Sequence, residues 1–408
     1  MKTETRNRSI VAALLVLATF GIVSLTQNTA VAQGQTGAIR AQENEPGKGD
    51  HSKRNDAAGA VFAMTNATDG NEIVVYSRAS DGSLTRLNHR VRTRGLGIGV
   101  DTDTQGPLRL SPGNRFLYAV NPGSDDITVF RVNGTRLTFR QIIYAGDQPL
   151  SLTIAGDLLY VLNGSVAGNG IRGFRIASNG TLTELPDSFR ALSSPIAVPG
   201  EVRFSPDGRV ILVTHKTTNV LLTPQNAIDA FTIDADGYAS AMPVRNASFG
   251  LRPFSLAFRE DGRLVVVESF NAAPNVSAAS SYLLSPAGTL TVISGSVPNG
   301  QTDVCWVVIT NDGRFAFTAN FGSGTISRYG LDQSGALTLQ NGSAAFLGEM
   351  SQPVDVSLSV DGSFLYQLLR GTGAVAAFRI EGDGSLSSLG LIVGGLPVAD
   401  GASGLASY

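Results

Sequence analysis

The sequence holds a single cysteine, a single tryptophan and only three histidines among 408 residues. One cysteine excludes an intrachain disulfide, so the core must hold the fold by itself. Three histidines without paired spacing do not make an ordinary zinc site, and Asp101-x-Asp103 is too short a signal for calcium. No metal and no cofactor is therefore expected. Charge is scarce as well. Charged residues make up 16% of the chain and the net charge is −2, which leaves no electrostatic footprint for nucleic acid or an anionic membrane. There is no GxSxG, no P-loop and no GxGxxG fingerprint.

Glycine, by contrast, is plentiful. Its 47 copies, beside 42% hydrophobic residues, suit many short strands and tight turns. The N-terminus reads as a secretory signal peptide over residues 1–32: Lys2, Arg6 and Arg8 precede the apolar run Ile10 to Leu25, and Ala30-Val31-Ala32 forms a small-residue cleavage pattern. Residues 33–56 are polar and pattern-free, as expected of a disordered linker. No later run is long and apolar enough to span a bilayer. An exported protein, periplasmic or secreted, is the expectation, with no membrane contact after leader cleavage.

From Ala57 to Tyr408 one unit recurs. Its clearest copy is Pro353 to Leu389: an alternating segment, an Asp361-Gly362 break, Phe364 to Leu369, a Gly-Thr-Gly turn, Val375 to Ile380, Asp383-Gly384 and a last segment. Period-2 alternation between such breaks predicts four antiparallel strands joined by hairpins. Further copies start near Pro107, Pro149, Val202, Pro253 and Asp303. The first copy, from Val61, lacks its first strand, and Gly401 to Tyr408 has the alternation that would supply it. Spacing of roughly 40–50 residues is that of a β-propeller. The predicted fold is all-β: a seven-bladed propeller with four antiparallel strands per blade, in which the C-terminal strand completes the N-terminal blade. A closed ring needs no partner to fold, so a monomer is expected.

In such a ring the loops entering first strands share a rim with the hairpins joining second to third strands. That rim collects Asn66, Asn121, Asn163, His215, Glu268, Asn320 and Arg370, and also two long hairpins in the fourth and fifth blades. Grouped long loops suggest a functional surface. Glu268 follows three valines and suits either acid–base work or a structural acceptor role. Arg252, entering the fifth blade, could clamp a carboxylate or phosphate, or form an interblade ion pair. His215 and Lys216 adjoin this sector, and Cys305-Trp306 reads as core packing.

Units of the type FSPDGR followed by IDAFTIDADG, seven times over, resemble the lactonase-like β-propellers. That family includes 6-phosphogluconolactonases and a fungal carboxymuconate lactonizing enzyme. The resemblance covers Ala57 to Tyr408 and implies the fold directly. It also implies polar columns that this chain mostly replaces or shifts. The family's His-x-His columns hold Val198 and Gly200, its Pro-Arg-His is Pro253-Phe254-Ser255 with Arg252 just upstream, and its Asn-Glu meets Glu268-Ser269. Its Asn-Arg-Gly is Asn320-Phe321-Gly322.

The expected protein is a secreted propeller that binds a small lactone or sugar acid at the channel mouth and hydrolyses it. Glu268 or His215 would activate water and Arg252 would hold the oxyanion, with Lys216, Asn320 and Arg370 as further binding residues. The alternative is a non-catalytic module that binds a ligand, polysaccharide or protein with the same rim.

Overall fold

The computed structural model describes residues 57–165, 168–194, 197–216 and 226–408. The leader and the linker read from the sequence, and most of the fourth-blade insertion, lie outside these residues. Among the described residues seven antiparallel sheets form the ring, each four strands deep from the channel outward, the third with its outermost strand in two pieces. No helix among the described residues is long and apolar enough to cross a membrane.

The first blade is assembled from both ends of the domain. Leu405–Ser407 pairs antiparallel with Gly59–Met64, placing Val61 opposite Ser407 and Ala63 opposite Leu405. The predicted closure is what the structure shows. Arg78 adds a latch through Nε to the Tyr408 carbonyl, 2.9 Å. In the third blade the outermost strand is broken, with Leu182–Glu184 and Arg190–Ala191 each pairing the same neighbour.

Two sequence habits explain the repetition. In the inner hairpins a Ser or Thr two residues before Asp closes a small box. Ser205, Thr310 and Ser359 donate to Asp207, Asp312 and Asp361 at 2.6, 2.6 and 2.5 Å. Each hydroxyl also accepts from the N–H that opens the next strand.

Between blades, a tyrosine on the second strand, two residues after Phe116, Leu158 or Phe364, meets the outer turn of the next blade. Tyr118, Tyr160 and Tyr366 donate to the carbonyls of Gly180, Gly237 and Gly82 at 3.0, 2.8 and 3.0 Å. Gly82 has φ +88°, and a Cβ there would fall 2.1 Å from the Phe364 ring. Only glycine serves at that seam. The core accordingly lies in layers between neighbouring blades, such as the cluster joining Phe62, Val75, Leu117, Tyr118 and Phe174.

The innermost strands of blades three to seven share a further feature. Each loses register near its start, between Pro149 and Ser151, Pro199 and Val202, Pro253 and Leu256, Val304 and Trp306, and Pro353 and Val356. A bulge bends the strand and re-aims side chains. The bulged stretches carry Glu201, Phe254, Cys305 and Asp355, which face the channel region.

Candidate functional site

The loop from Thr93 to Pro107, joining the first blade to the second, does not stay on the rim. Its last part, Asp101 to Gly106, fills the channel. Gln105 pairs with Val307 of the sixth blade as an extra strand residue would: Nε2 donates to the carbonyl at 3.0 Å and Oε1 accepts the N–H at 2.9 Å. Its own backbone bonds Gly200 in the fourth blade, 3.1 Å, and its carbonyl accepts from Ser151 of the third, 2.5 Å. Trp306 donates its indole N–H to the Thr104 carbonyl, 3.3 Å. Gly106 donates to Asp355 of the seventh blade, 3.1 Å, at φ +86°, where a Cβ would meet the Arg109 guanidinium at 2.5 Å. The channel is plugged, and its two mouths are separate.

Asp355 is 3% exposed and accepts from both Gly106 and Gly404, the latter at 2.7 Å. Burial pushes its carboxyl up to about 7 against those two donors, with nearby Asp101 pushing the same way and Arg109 opposing. The folded protein therefore keeps a proton that the unfolded chain releases near 3.8. Over that window the native state binds more protons, so this group's contribution to stability falls as pH rises. Asp355→Asn should gain on the wild type between pH 4 and 7, by up to about 3 kcal/mol. Urea midpoints measured across that range check it, and a constant difference would refute it.

The mouth at the Asp101–Asp103 end is a charged ring over aromatic walls. Lys216, 1% exposed, donates to Asp103 Oδ2 at 2.5 Å and also to the Asp103 carbonyl. Its ammonium lies 4.5 Å from the Phe254 ring centre. Arg252 binds Asp303 Oδ1 and Ser269 Oγ, each 3.1 Å, and approaches Asp103 at 3.7 Å. Phe254 packs on Trp306 at 5.0 Å, Trp306 on Phe321 at 6.3 Å, and Arg370 lies 5.9 Å from the Phe321 centre. Arg370 is fixed by Gln352, 2.9 Å.

Asp101 is partly exposed and accepts from the Asp103 N–H, 2.9 Å, and from Ser403, 3.2 Å. Burial and then the Asp103 charge push its carboxyl up to about 6, while Arg370 and Lys216 draw it down. Burial also lowers the Lys216 ammonium. The Cys305 thiol, 3.5 Å from Asp303, is pushed well up by burial and stays protonated.

Of the residues singled out from sequence, Arg252, Lys216 and Arg370 meet at this mouth. Glu268, His215 and Asn320 do not. Glu268 is fully buried and accepts from Gly250 N–H, Ser280 and Ser296 at 2.9, 2.5 and 2.6 Å, the two serines lying on the outer strands of its own blade. Burial raises its carboxyl and these donors partly offset the push. His215 is equally buried and sits 2.9 Å from Asp229, on the third strand of its blade. Against burial, His215 and Ser193 hold the Asp229 carboxyl below its usual range. Asn320 donates to Thr325 and Ser327 at 2.9 and 2.8 Å, inside its own hairpin.

Sequence reasoning passed over Asp101, Asp103, Asp303 and Phe321 as members of a site, and it passed over the plug. One signal was present. Thr93 to Pro107 is far longer than the link from Ala145 to Gln148 between the next two blades.

Known proteins give a consistent picture. The family model described as lactonase, 7-bladed beta-propeller matches residues 68–199 and 269–355, just over half of the chain. A Lactobacillus plantarum protein of solved structure superimposes with a TM-score of 0.65 at 17% identity, over 86% of this chain and 99% of its own. The Pseudomonas aeruginosa periplasmic gluconolactonase gives 0.62 at 19% identity, over 86% and 99%. A Bacteroides fragilis protein with a provisional 6-phosphogluconolactonase name gives 0.61 at 18%, over 87% and 99%. No curated protein matches the sequence significantly. At these identities the solved structures speak for the fold, and the match to the family model for descent: the chain belongs to the lactonase family of seven-bladed β-propellers.

Proposed function

We propose that the mouth formed by Asp101 to Asp103 binds a small lactone or its sugar acid and hydrolyses the lactone, with Asp101 as general base. The observation carrying this reading is the place of Asp101 at this mouth, a partly exposed residue whose carboxyl is pushed up to about 6 by burial and the Asp103 charge, against the pull of Arg370 and Lys216. A base that titrates near neutrality serves proton transfer best. Glu268 and His215 have no exposed surface, so in this reading they hold the rim together and do not touch substrate.

The step balances simply. Water gives a proton to Asp101 as its oxygen bonds to the lactone carbonyl carbon. The ring C–O bond then breaks, and the departing alkoxide takes the proton back from Asp101. Arg252 and Arg370 stabilise the charge that forms on the carbonyl oxygen. Export belongs to the same proposal, on the strength of the leader pattern and of a structural neighbour named as periplasmic.

A second reading, binding without turnover, is favoured by Asp103, which already neutralises Lys216 and approaches Arg252. Proton release over sugar and aliphatic lactones separates the two. Wild type should turn over at least one lactone, Asp101→Asn should lose about a hundredfold or more, and Glu268→Gln with unchanged Tm should keep its rate. Collapse in Glu268→Gln with full activity in Asp101→Asn would return the base to Glu268. No turnover on any lactone would leave the binding reading.

A further inference from the structure

The opposite mouth carries a second constellation that the lactone site does not use. Glu201, on the bulge of the fourth blade, is fully buried, and its Oε1 lies between two guanidiniums: Arg109 Nη2 at 2.8 Å and Arg203 Nε at 3.1 Å. Its Oε2 accepts from the Leu256 N–H, 2.8 Å. Each arginine is further fixed by a backbone carbonyl, Arg109 by Leu152 and Arg203 by Leu256, both 3.3 Å. Among the described residues this leaves Arg109 Nη1 and both terminal nitrogens of Arg203 uncommitted. The two side chains are 25% and 22% exposed, so these donors reach solvent.

They reach it at the throat of a funnel. A cavity of about 790 Å³ and an adjoining one of about 360 Å³ share Arg109, Arg203, Phe204 and Pro206. Gln105 of the plug closes the inner end, and the walls carry Ile154, Phe258, Ile309 and Leu358. At the clamp itself two cations share one carboxylate, a local excess of positive charge, while the lining of the two cavities adds Asp207 and Glu260 and mixes polar with apolar groups. The excess is felt inside the cluster: burial and then Arg203 push the Arg109 guanidinium down to about 10. An incoming anion would relieve that repulsion and take fork-like hydrogen bonds from groups already held in place.

We infer that this funnel is a second binding site, distinct from the plugged mouth, which takes a small organic carboxylate with an apolar body: the carboxylate on Arg109 and Arg203, the body against Phe204, Phe258 and Leu358. The preformed Arg–Glu–Arg clamp and the one-ended cup set the orientation, charge inward. The plug isolates the site from the other mouth, so occupancy here does not depend on lactone chemistry there.

The test uses calorimetry on the propeller chain with benzoate and hexanoate as probes, and benzamide and inorganic phosphate as controls. Benzoate and hexanoate should bind, and benzamide and phosphate should bind at least about tenfold more weakly, since each lacks one half of the recognition. Arg203→Met should weaken benzoate roughly 10- to 100-fold. Because that change also disturbs Glu201, a rim variant keeps the test independent of folding. Val360 lines the funnel and is 61% exposed, so Val360→Glu should weaken benzoate several-fold and Val360→Lys should strengthen it. Asp101→Asn, at the other mouth, should leave benzoate affinity unchanged. Absence of benzoate and hexanoate binding at millimolar concentration would overturn the inference. So would equal binding of benzamide or phosphate, or indifference to both Val360 variants.

Discussion

A chain ending at Asp400 is expected to melt at least about 10 °C below the full-length protein, or to lose its cooperative transition altogether. The deletion removes Ala402, Leu405 and Ala406 from the buried set, and Leu405 alone is worth roughly 1.5–3 kcal/mol. It also bares the inner edge of Gly59–Met64, which otherwise pairs with Leu405–Ser407 and bonds the Gly404 carbonyl through the Met64 N–H at 3.1 Å. Arg78, only 7% exposed, loses the Tyr408 carbonyl, and Asp355 loses the Gly404 N–H. At roughly 2–4 °C per kcal/mol for a large domain, these losses reach the stated shift. Calorimetry on the two chains decides, and equal melting temperatures would contradict closure of the ring by this strand.

Asp103→Ala should be the most damaging single change at the candidate site. Lys216 is 1% exposed, and this carboxylate is its ionic partner. Without it the ammonium keeps a backbone carbonyl, the Phe254 ring and the more distant Asp101 and Asp303, and a buried charge stripped of its direct counter-charge costs about 3–5 kcal/mol. Adding Lys216→Met should recover more than half of that loss, because the pair is then gone as a pair. The deficit should also depend on pH. Burial already lowers the Lys216 ammonium, and without Asp103 it falls further below its unfolded value. The unfolded chain then binds the extra proton, so the variant recovers stability as pH rises. Guanidinium denaturation of the three proteins at two pH values measures both effects. A fully destabilised double variant would mean that Asp103 acts through its backbone turn instead.

The ring was legible because its signals are local and repeated. Asp-Gly turns recur in five of the seven units and two-residue alternation runs through them, and the terminal GASGLASY stretch fits the one vacancy. The broken outer strand of the third blade carried a signal that the reading did not use: Pro186-Asp187 stands in the gap from Leu185 to Phe189 and breaks the strand there. The site was legible only in part. Arg252, Lys216 and Arg370 stand where rim counting puts them. The valines before Glu268 announced its desolvation, but its partners Ser280 and Ser296 come from other strands, which a linear reading cannot place beside it. Asp101 and Asp103 lie in a loop without periodicity, and a plug that touches five blades has no signature within its own six residues.

The closure has a further consequence, for the order in which the molecule can be made. The strand Leu405–Ser407 is made after all seven blades have been started, and its partner Val61–Ala63 opens the domain. Pairings of such sequence separation form late and slowly. Throughout synthesis the first blade therefore carries an unpaired inner edge, and Asp355 lacks one of the two donors that hold it. Blades built early can fold on their own hairpins, but the ring and the second clamp on its plug are completed in one event, once the stretch after the seventh blade has been made.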